Sequence, residues 1–459
     1  MTDGNLAEGN MTDNKINLKY DIVIIGGGPA GMSAAIAAYE HGNRSILIIE
    51  REKRLGGILK QCIHPGFGLE MYKEELTGPE FAARLIAKVR EYNIDCRMSS
   101  MVLDIDRKLC VTGTSSDLGV FTVQAGAVIL AMGCRERPRG ALNTPGTRPS
   151  GVFTAGAAQY FVNMYGYLPG EEVVILGSGD IGLIMARRMT LEGAKVKAVC
   201  EVMPYSGGLA RNIEQCLNDF NIPLLLSHTV VEVHGKERVT GVTIAQVENV
   251  PGKGRVPVKG TEQYIPCDTL LLSVGLIPEN ELTTSCGIRL NPATKGAEVD
   301  QDRQTEIPGI YSCGNVLHVH DLADFAAEEA RIAGEAAAER VRKLRENAGE
   351  KSCEEGGFKV GLKADGKVRY VVPQVITAKK DVNVFFRVSD IFKKPTLVVT
   401  ASAGAEGAEG ETGENVLLKK KYLKLVPGTM QTVTLKKEML EQIPDGGRIE
   451  FKLLPGDAE

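Results

Sequence analysis

The residues that point most directly to chemistry are three glycines followed by an acid. Gly26, Gly28 and Gly31 follow the apolar run 22–25 at the G-x-G-x-x-G spacing, and Glu50 lies 24 residues after Gly26. Such a loop lets a pyrophosphate approach the backbone at a helix N-terminus, and the acid accepts hydrogen bonds from ribose hydroxyl groups. The pattern therefore predicts a dinucleotide site. Its predicted contacts are Gly26, Gly28, Pro29, Ala30, Gly31, Glu50, Arg51 and Gly57.

The same pattern occurs a second time. Residues 173–176 form another apolar run, Gly177, Gly179 and Gly182 repeat the glycine spacing, and Glu201 lies 24 residues after Gly177. Two such units in one chain predict two bound nucleotides. The predicted contacts of the second nucleotide are Gly177, Gly179, Asp180, Ile181, Gly182 and Glu201.

Each glycine loop must lie between a buried parallel strand and a helix. The Ala-rich stretch 30–39 follows the first loop and favours a helix. Further along, the apolar runs 127–132 and 269–274 end at Gly133 and Gly275, where the backbone can approach a ligand closely. We therefore predict an α/β protein with two Rossmann-like dinucleotide-binding domains, in which Gly133 and Gly275 also contact the nucleotides.

The predicted domain boundaries follow changes in composition. The polar residues 1–18 are predicted to be a disordered tail. The first nucleotide domain takes residues 19–148 and 288–348, and the second, residues 149–287, is inserted into it. Residues 349–459 are predicted to form a C-terminal all-β, sandwich-like domain for docking or dimerisation. Its expected strands are 367–376, 382–390, 396–402, 416–425, 430–440 and 448–455.

Charge and cysteine usage exclude several classes of protein. The net charge is −4 with both signs mixed, so the composition does not favour nucleic acid or an anionic membrane surface as a partner. No segment predicts a membrane span, and the polar N-terminus is not a secretory signal. The ten cysteines contain no C-x-x-C pair, which predicts reduced thiols, no metal site and a cytoplasmic location.

Together, the two glycine loops and three further segments resemble the two-dinucleotide flavoproteins of the pyridine nucleotide–disulfide oxidoreductase family. The further segments are 131–133 (Ala-Met-Gly), 274–278 (Val-Gly-Leu-Ile-Pro) and 313–315 (Cys-Gly-Asn). The resemblance implies FAD at the first loop, NAD(H) at the second, and contacts of Gly314, Asn315 and Asp321 with the FAD. Members of the family usually carry Asp where this chain has Asn315, so its hydrogen bond to the ribityl chain would be uncharged.

The chain departs from the disulfide reductases of that family. It has no C-x-x-C in the second unit, and only Cys62 follows the first unit. Segments 61–68, 75–80 and 315–321 resemble the NAD(P)/FAD subunit found beside a bacterial glycerol-3-phosphate dehydrogenase. They are similar, more distantly, to the flavin subunits of opine oxidase, hydrogen cyanide synthase and multi-subunit proline dehydrogenase. This resemblance implies a partner dehydrogenase subunit.

Cys62 and His64 are the candidate catalytic residues. Beside a flavin, a Cys62 thiolate could form a charge-transfer pair or be oxidised to sulfenic acid, as in NADH oxidase and peroxidase. The alternative is a buried thiol with no redox role, and His64 could either hydrogen-bond the flavin or only pack its loop. His318 and His320 precede a long helix predicted at 322–344, whose N-terminus could stabilise the reduced flavin with or without them.

Three functions are consistent with these residues. In the first, the chain exchanges hydride between NAD(H) and bound FAD as the NAD-linked subunit of a dehydrogenase, with glycerol-3-phosphate as the expected substrate. In the second, it is a stand-alone NADH oxidase or peroxidase that works through Cys62. In the third, it is a non-catalytic nucleotide-binding scaffold. A homodimer is compatible with all three, and we predict the first.

Overall fold

Contacts divide the chain into two compact units. The computed structural model describes residues 11–12, 15–346, 358–402 and 415–455. Unit 1 contains Met1–Lys60, Pro65–Cys134 and Pro278–Glu459, and unit 2 contains Gln61–His64 and Arg135–Ile277. The α-helices of the described part are α1 (Pro29–Glu40), α2 (Gly78–Glu91), α3 (Ala155–Tyr160), α4 (Asp180–Leu191), α5 (Ala210–Cys216), α6 (Glu281–Ser285), α7 (Ala323–Glu346) and α8 (Lys437–Glu441).

Unit 1 is built around an eight-stranded sheet. Lys15–Ile25 lies near its centre and pairs in parallel with Ile46–Ile49 and Gly119–Leu130. In order, the strands are Asp95–Arg97, Ile46–Ile49, Lys15–Ile25, Gly119–Leu130, Cys110–Ser115 and Ser100–Ile105, with Met11–Thr12 paired to Lys15–Ile25 and Ile310–Ser312 to Gly119–Leu130. Helices α1 and α7 share one apolar core with the sheet. They pack closely, because a Cβ on Gly334 of α7 would collide with the backbone of Ala34 in α1.

The predicted disordered tail over residues 1–18 was wrong at its C-terminal end. Lys15–Ile25 forms one continuous strand, and Leu18 is buried in the core of the sheet. The physical reason is the alternation of apolar and polar residues around Leu18, which lies between two polar residues. Alternation with a period of two is typical of a strand, so the strand that contains the apolar run 22–25 continues towards the N-terminus. Residues 1–10 and 13–14 lie outside the described residues.

Unit 2 contains a second, smaller nucleotide-binding sheet. All its neighbouring strands are parallel, in the order Val152–Thr154, Thr269–Leu272, Glu172–Leu176, Lys195–Glu201 and Leu224–Leu226. Helices α3 and α4 cover one face of this sheet through a shared apolar core. A separate antiparallel sheet of unit 2 contains His228–Gly235, Val239–Val250, Gly254–Pro257 and Gln263–Pro266. The first strand of each unit has parallel neighbours on both sides, which confirms the predicted pair of Rossmann-like domains. The sheet of unit 1 also contains antiparallel strands, among them Cys110–Ser115 and Ser100–Ile105.

The C-terminal part of unit 1 forms a β domain with its own apolar core. One sheet has the order Val375–Ile376, Val360–Ala364, Arg448–Leu454, Thr396–Ser402 and Asn415–Lys421, and the other Val368–Val372, Val382–Val388 and Gln431–Leu435. Within the β domain, a short antiparallel pair joins Phe392–Lys393 to Lys424–Leu425. A similar short pair elsewhere in unit 1 joins Pro65–Phe67 to Leu76–Thr77. The strand expected at 430–440 ends at Leu435, because the following Lys, Glu, Met and Leu residues favour helix α8.

The chain passes between the units at positions that differ from the predicted boundaries. By its contacts, the chain leaves unit 1 after Cys134 and returns to it after Ile277. The boundaries predicted from composition lie after residues 148 and 287. The two passages pair as a two-stranded ribbon, Cys134–Glu136 with Leu276–Pro278. This ribbon lies ahead of both predicted boundaries in the sequence.

Shorter helical turns complete the described secondary structure. Gly57–Gln61, Arg139–Ala141, Asn218–Phe220 and Gly314–Val316 are 3-10 turns, and Phe161–Tyr165 is a π-helical turn that continues α3. Within the described ranges, no helix combines the length and the apolar character that crossing a bilayer requires.

Candidate functional site

The first glycine loop has the shape of a phosphate cradle. Gly26 has φ +106°, in the left-handed region, and a Cβ there would collide with the Ala131 carbonyl. At Gly28, in contrast, an added Cβ would meet nothing nearer than Gly57 Cα at 4.0 Å. The space above Gly28 is therefore free of protein atoms at the N-terminus of α1, where backbone N–H groups favour an anion.

Segments that are distant in the sequence meet at this helix N-terminus. A Cβ on Gly57 would lie 3.0 Å from Gly28 Cα, and one on Gly314 would lie 2.7 Å from Ala30 Cβ. Gly133 has φ +74° and open space around it, so no protein atom fills its missing side chain. Unit 1 thus brings the predicted glycine contacts of segments 57 and 314 to the loop 26–28, as a dinucleotide site requires.

Glu50 ties the first loop to the end of its second strand. The side chain is buried, and Oε2 accepts a hydrogen bond from Gly27 N at 2.6 Å, while Oε1 accepts one from Glu52 N at 2.8 Å. Each carboxylate oxygen has two lone pairs, so both retain capacity for a ribose hydroxyl group. Arg51, the neighbouring predicted contact, is exposed.

The second loop reproduces these hydrogen bonds. Glu201 Oε2 accepts hydrogen bonds from Ser178 N at 2.9 Å and Ser178 Oγ at 2.6 Å, and Oε1 accepts one from Met203 N at 2.9 Å. Gly179 is again open, since a Cβ there would lie 3.6 Å from the nearest atom. Units 1 and 2 therefore hold the same acid on the same two backbone positions, which is strong evidence for two nucleotide sites.

Two further residues shape the second loop. Asp180 starts α4, and its Oδ1 accepts hydrogen bonds from Leu209 N at 2.8 Å and Asn212 Nδ2 at 2.7 Å, so it fixes α5 beside the loop. Arg255 Nε lies 3.2 Å from Met203 Sδ. The fold thus brings a cation to the loop after Glu201, where the sequence offered none.

A buried charge cluster holds the segment after Gly314. Glu329 of α7 is fully buried, and its Oε1 accepts a hydrogen bond from Arg303 Nε at 3.0 Å and lies 2.9 Å from His318 Nε2. Oε2 accepts a hydrogen bond from Gly314 N at 3.1 Å and lies 3.3 Å from His320 Nε2. One carboxylate therefore connects α7, the Gly314 turn and the two histidines.

The electrostatics of this cluster follow from its burial. Burial raises the pKa of the Glu329 carboxyl, but His318, His320 and Arg303 outweigh it and hold that pKa well below its usual range. Burial lowers the pKa of His318 to about 4, although Glu329 acts in the opposite direction. The site therefore contains a buried carboxylate and a neutral His318 at neutral pH.

His318, His320 and Glu329 also have the composition of a metal site, with ligand atoms within 4.8 Å of one another. Arg303 argues against a cation, because its guanidinium already binds Glu329 Oε1. His318 Nδ1 has no hydrogen-bond partner among the described residues, whereas a metal-bound imidazole donates through its second nitrogen. We therefore assign the cluster a structural role.

The segment 315–321 is fixed by protein contacts. Asn315 Oδ1 accepts a hydrogen bond from His320 N at 2.9 Å, and Asn315 Nδ2 lies 3.6 Å from Cys134 Sγ. Asp321 forms an ion pair with Arg387 of the β domain and accepts a hydrogen bond from Met430 N at 2.7 Å. Asp321 thus anchors the β domain to the segment, and its predicted contact with FAD remains a prediction.

Cys62 and His64 belong by their contacts to unit 2. Cys62 Sγ lies 3.7 Å from Gln159 Oε1 of α3, and burial raises the pKa of its thiol to about 12. Burial, supported by Arg211, lowers the pKa of His64. Both side chains are therefore uncharged at neutral pH, which argues against the thiolate that charge transfer or peroxide chemistry needs.

None of the cysteines in the described ranges forms a disulfide. Their thiols are protonated at neutral pH wherever a pKa shift is resolved, because burial raises those pKa values. Burial thus disfavours the thiolate form that attack on a disulfide by thiol–disulfide exchange requires.

Two glycine loops, each closed by an acid and each lying between a strand with parallel neighbours and a helix N-terminus, define a two-dinucleotide protein. The chain belongs to the pyridine nucleotide-disulphide oxidoreductase family, whose model matches residues 20–330. It is accordingly a FAD-dependent NAD(P)H oxidoreductase, and its cofactors are FAD and NAD(P)H.

Individual relatives extend this comparison. The chain is 27% identical to one of the subunits of opine oxidase from Agrobacterium tumefaciens (strain Ach5), over 70% of this chain and 64% of the relative. It is 28% identical to hydrogen cyanide synthase subunit HcnB of Pseudomonas protegens, over 64% of this chain and 65% of the relative. The crystal structure of T. acidophilum thioredoxin reductase matches with a TM-score of 0.56 and 25% identity, over 71% of this chain and 99% of that chain. The chain thus spans about two thirds of the curated subunits that it matches.

Sequence reasoning missed several residues of the site. Glu329 had a signal, because it lies three residues after Ala326 and four before Ala333 on the buried face of α7, where an acid needs a partner. Arg303, Arg255 and Gln159 had none, since each reaches its partner from an element that is distant in sequence.

The first prediction concerns Glu50. Glu50→Gln should weaken FAD binding at least about tenfold, because an amide has only one acceptor oxygen for the two backbone donors and the ribose. Glu50→Arg should weaken it more. The measurement is FAD affinity after removal and reconstitution of the cofactor, and Glu52→Gln, an exposed acid nearby, is the control. Unchanged affinity in both Glu50 variants would contradict the assignment.

The second prediction is an acid-dependent loss of stability through His318. Its folded pKa of about 4 is below the ordinary 6.5, so the unfolded chain takes up the proton first as the pH falls. The free energy of unfolding should drop by about 2 kcal/mol between pH 7 and pH 5 from this residue alone. Denaturant unfolding of His318→Gln, which keeps a donor to Glu329, should lack that drop; an equal pH slope in both proteins would refute the account.

Proposed function

We propose that this chain exchanges hydride between NAD(H) bound in unit 2 and FAD bound in unit 1, as the NAD-linked subunit of a multi-subunit dehydrogenase. The observation that carries the proposal is the repeated acid–loop geometry, in which Glu50 binds Gly27 N and Glu201 binds Ser178 N. Bound FAD would supply the hydride-accepting centre, and the protein supplies position and electrostatics.

The contributions of the protein itself follow from the contacts above. Gly26–Gly28 and the N-terminus of α1 would bind and orient the pyrophosphate of the first nucleotide. Glu329 holds the Gly314 turn and the segment 315–321 in one position, so the predicted contacts of Asn315 are fixed before any ligand binds. In unit 2, Asp180 positions α5 next to the second loop.

The stand-alone oxidase or peroxidase is the second candidate, and the state of Cys62 argues against it. Such chemistry needs an ionised or readily ionised thiol. Burial raises the pKa of Cys62 to about 12, and its Sγ lies 3.7 Å from the amide oxygen of Gln159, which does not stabilise a thiolate. A non-catalytic scaffold is disfavoured because family membership makes the chain an oxidoreductase.

NADH is the coenzyme that the second loop favours. The buried Glu201 carboxylate can accept a hydrogen bond from a ribose 2′-hydroxyl group but repels a 2′-phosphate. Arg255 acts in the opposite direction, because it reaches Met203, two residues after Glu201. We expect Glu201 to dominate, since its oxygens are fixed by the backbone N–H groups of Ser178 and Met203.

A partner dehydrogenase is supported by two of the relatives, which are named as subunits of opine oxidase and of hydrogen cyanide synthase. Glycerol-3-phosphate remains an expectation from the resemblance of segments 61–68, 75–80 and 315–321, and neither relative's name refers to it. A cytoplasmic location is likewise an expectation.

The third prediction is a preference for NADH of about 100-fold in kcat/KM, measured by reduction of an artificial dye. Glu201→Gln should reduce this preference, because the substitution removes the charge that repels the 2′-phosphate. Arg255→Ala should leave NADH turnover unchanged. Equal efficiency with NADH and NADPH in the wild type would show that Arg255 outweighs Glu201 and that the assignment is wrong.

The fourth prediction separates the NAD-linked subunit from the stand-alone enzyme. The isolated chain should pass electrons from NADH to a dye, should turn over peroxide only at background rates, and should behave the same as Cys62→Ser. With NAD and glycerol-3-phosphate it should show almost no activity until a co-purifying flavoprotein is added. Full substrate oxidation by the isolated chain, or peroxide turnover that Cys62→Ser abolishes, would overturn the proposal.

A further inference from the structure

The β domain packs against the nucleotide-binding sheet of unit 1 through buried side chains. Tyr370 and Val372, from one strand of the β domain, lie in the same apolar core as Val128 of the eight-stranded sheet. A second contact is polar, because Gln374 Oε1 accepts a hydrogen bond from Val299 N at 2.9 Å. Domains that share an apolar core do not move independently of each other. The β domain can therefore fix the position of other parts of unit 1.

Arg387 connects the β domain to the segment 315–321. Its Nη2 donates a hydrogen bond to Val319 O at 3.0 Å and forms an ion pair with Asp321. Met430 N, also from the β domain, donates to the other oxygen of the same carboxylate at 2.7 Å. The side chains of Arg387 and Asp321 are only 11% and 17% exposed, so solvent and salt screen this pair far less than a surface pair.

The β domain in turn fixes the guanidinium of Arg387. Nε donates a hydrogen bond to Tyr370 Oη at 3.0 Å, and Nη1 donates to Pro427 O at 3.2 Å. All three nitrogens of the planar guanidinium therefore have an acceptor, two of them within the β domain and one in the segment 315–321. A rigid fork of this kind transmits the position of one element to another better than the flexible ammonium of lysine does.

Two aromatic rings of the β domain cover the histidines of the same segment. The centroid of the Phe385 ring lies 5.7 Å from that of His318 and 6.4 Å from that of His320. The Tyr370 ring meets His318 edge to face at 6.1 Å. Both histidines are buried, and they lie beside the carboxylate of Glu329. The β domain thus contacts the segment 315–321 through packing as well as through Arg387.

The other end of the segment lies at the first glycine loop. Gly314 packs against the start of α1, since a Cβ on it would lie 2.7 Å from Ala30 Cβ. The next residue, Asn315, accepts a hydrogen bond on Oδ1 from His320 N at 2.9 Å. A short series of contacts therefore leads from Arg387 through residues 319–321 and Asn315 to the helix N-terminus that favours an anion.

We propose that Arg387 is a positioning residue of the FAD site, through which the β domain fixes the segment 315–321 at the first glycine loop. The inference rests on the proposed function, which places FAD in unit 1. Glu329 holds the segment at Gly314, and Arg387 holds its other end at Val319 and Asp321. A segment fixed at both ends loses little conformational entropy when it contacts a ligand. Loss of Arg387 should therefore weaken FAD binding, although Arg387 lies outside both glycine loops.

The test compares Arg387→Ala with Gln374→Ala in the full-length chain, after removal of FAD and reconstitution. Gln374 is the control because it is also buried between the β domain and the rest of unit 1, but bonds Val299 instead of the segment 315–321. Both variants should lower the Tm. Arg387→Ala alone should weaken FAD affinity, at least about tenfold, and alter the visible circular dichroism of the bound flavin. The affinity for NADH, measured by nicotinamide fluorescence, should stay the same in both, because the second glycine loop belongs to unit 2.

Arg387→Lys keeps the test decisive if the alanine variant folds poorly. Lysine retains the charge opposite Asp321 but cannot reach all the acceptors of the guanidinium at once, so FAD affinity should fall about threefold or more, and less than in Arg387→Ala. Unchanged FAD affinity in the Arg387 variants, or an equal loss in Gln374→Ala, would overturn the inference. A wild type that binds FAD but is not reduced by NADH would contradict only the proposed function, because the affinity comparison does not use NADH.

Discussion

The arrangement of unit 1 depends on one buried carboxylate. Glu329 receives hydrogen bonds from Arg303 and from the Gly314 backbone and lies beside both histidines, with no water-exposed side to its side chain. Removing one partner of such a buried pair costs about 3–5 kcal/mol, because it leaves the other charge unpaired. The position of the Gly314 turn against α1, and of the segment that anchors the β domain, therefore follows from a single charge on α7.

The second constraint is the repeated use of one acid to close one glycine loop. Glu50 and Glu201 each accept a hydrogen bond from the backbone N–H of the residue that follows the first glycine of the loop. Each also accepts one from the backbone N–H of the residue two positions after the acid itself. The two loops are thus preorganised to the same shape, while no thiol among the described residues forms a disulfide. A family whose name refers to disulfide chemistry is represented here by a chain that retains both glycine loops and has no C-x-x-C motif.

The sequence could predict those features whose residues lie close together along the chain. The glycine loops and their acids were predictable, because the spacing of residues 26–50 and 177–201 is local. The burial of Glu329 could have been predicted from the helical periodicity of α7, whereas its partner Arg303 lies in a loop that has no sequence pattern. The strand that begins at Lys15 was missed, because alternation over a few residues is a weak signal beside a polar tail.

The central proposal is that electrons move between nicotinamide and flavin without a redox-active Cys62. Anaerobic titration of the purified protein with NADH, followed by flavin absorbance, tests it most directly. The account predicts complete flavin reduction by about one equivalent of NADH per FAD, with the same end point in Cys62→Ser, since a two-electron donor matches a two-electron cofactor. A requirement for two equivalents that falls to one in Cys62→Ser would reveal a redox-active thiol and contradict the account.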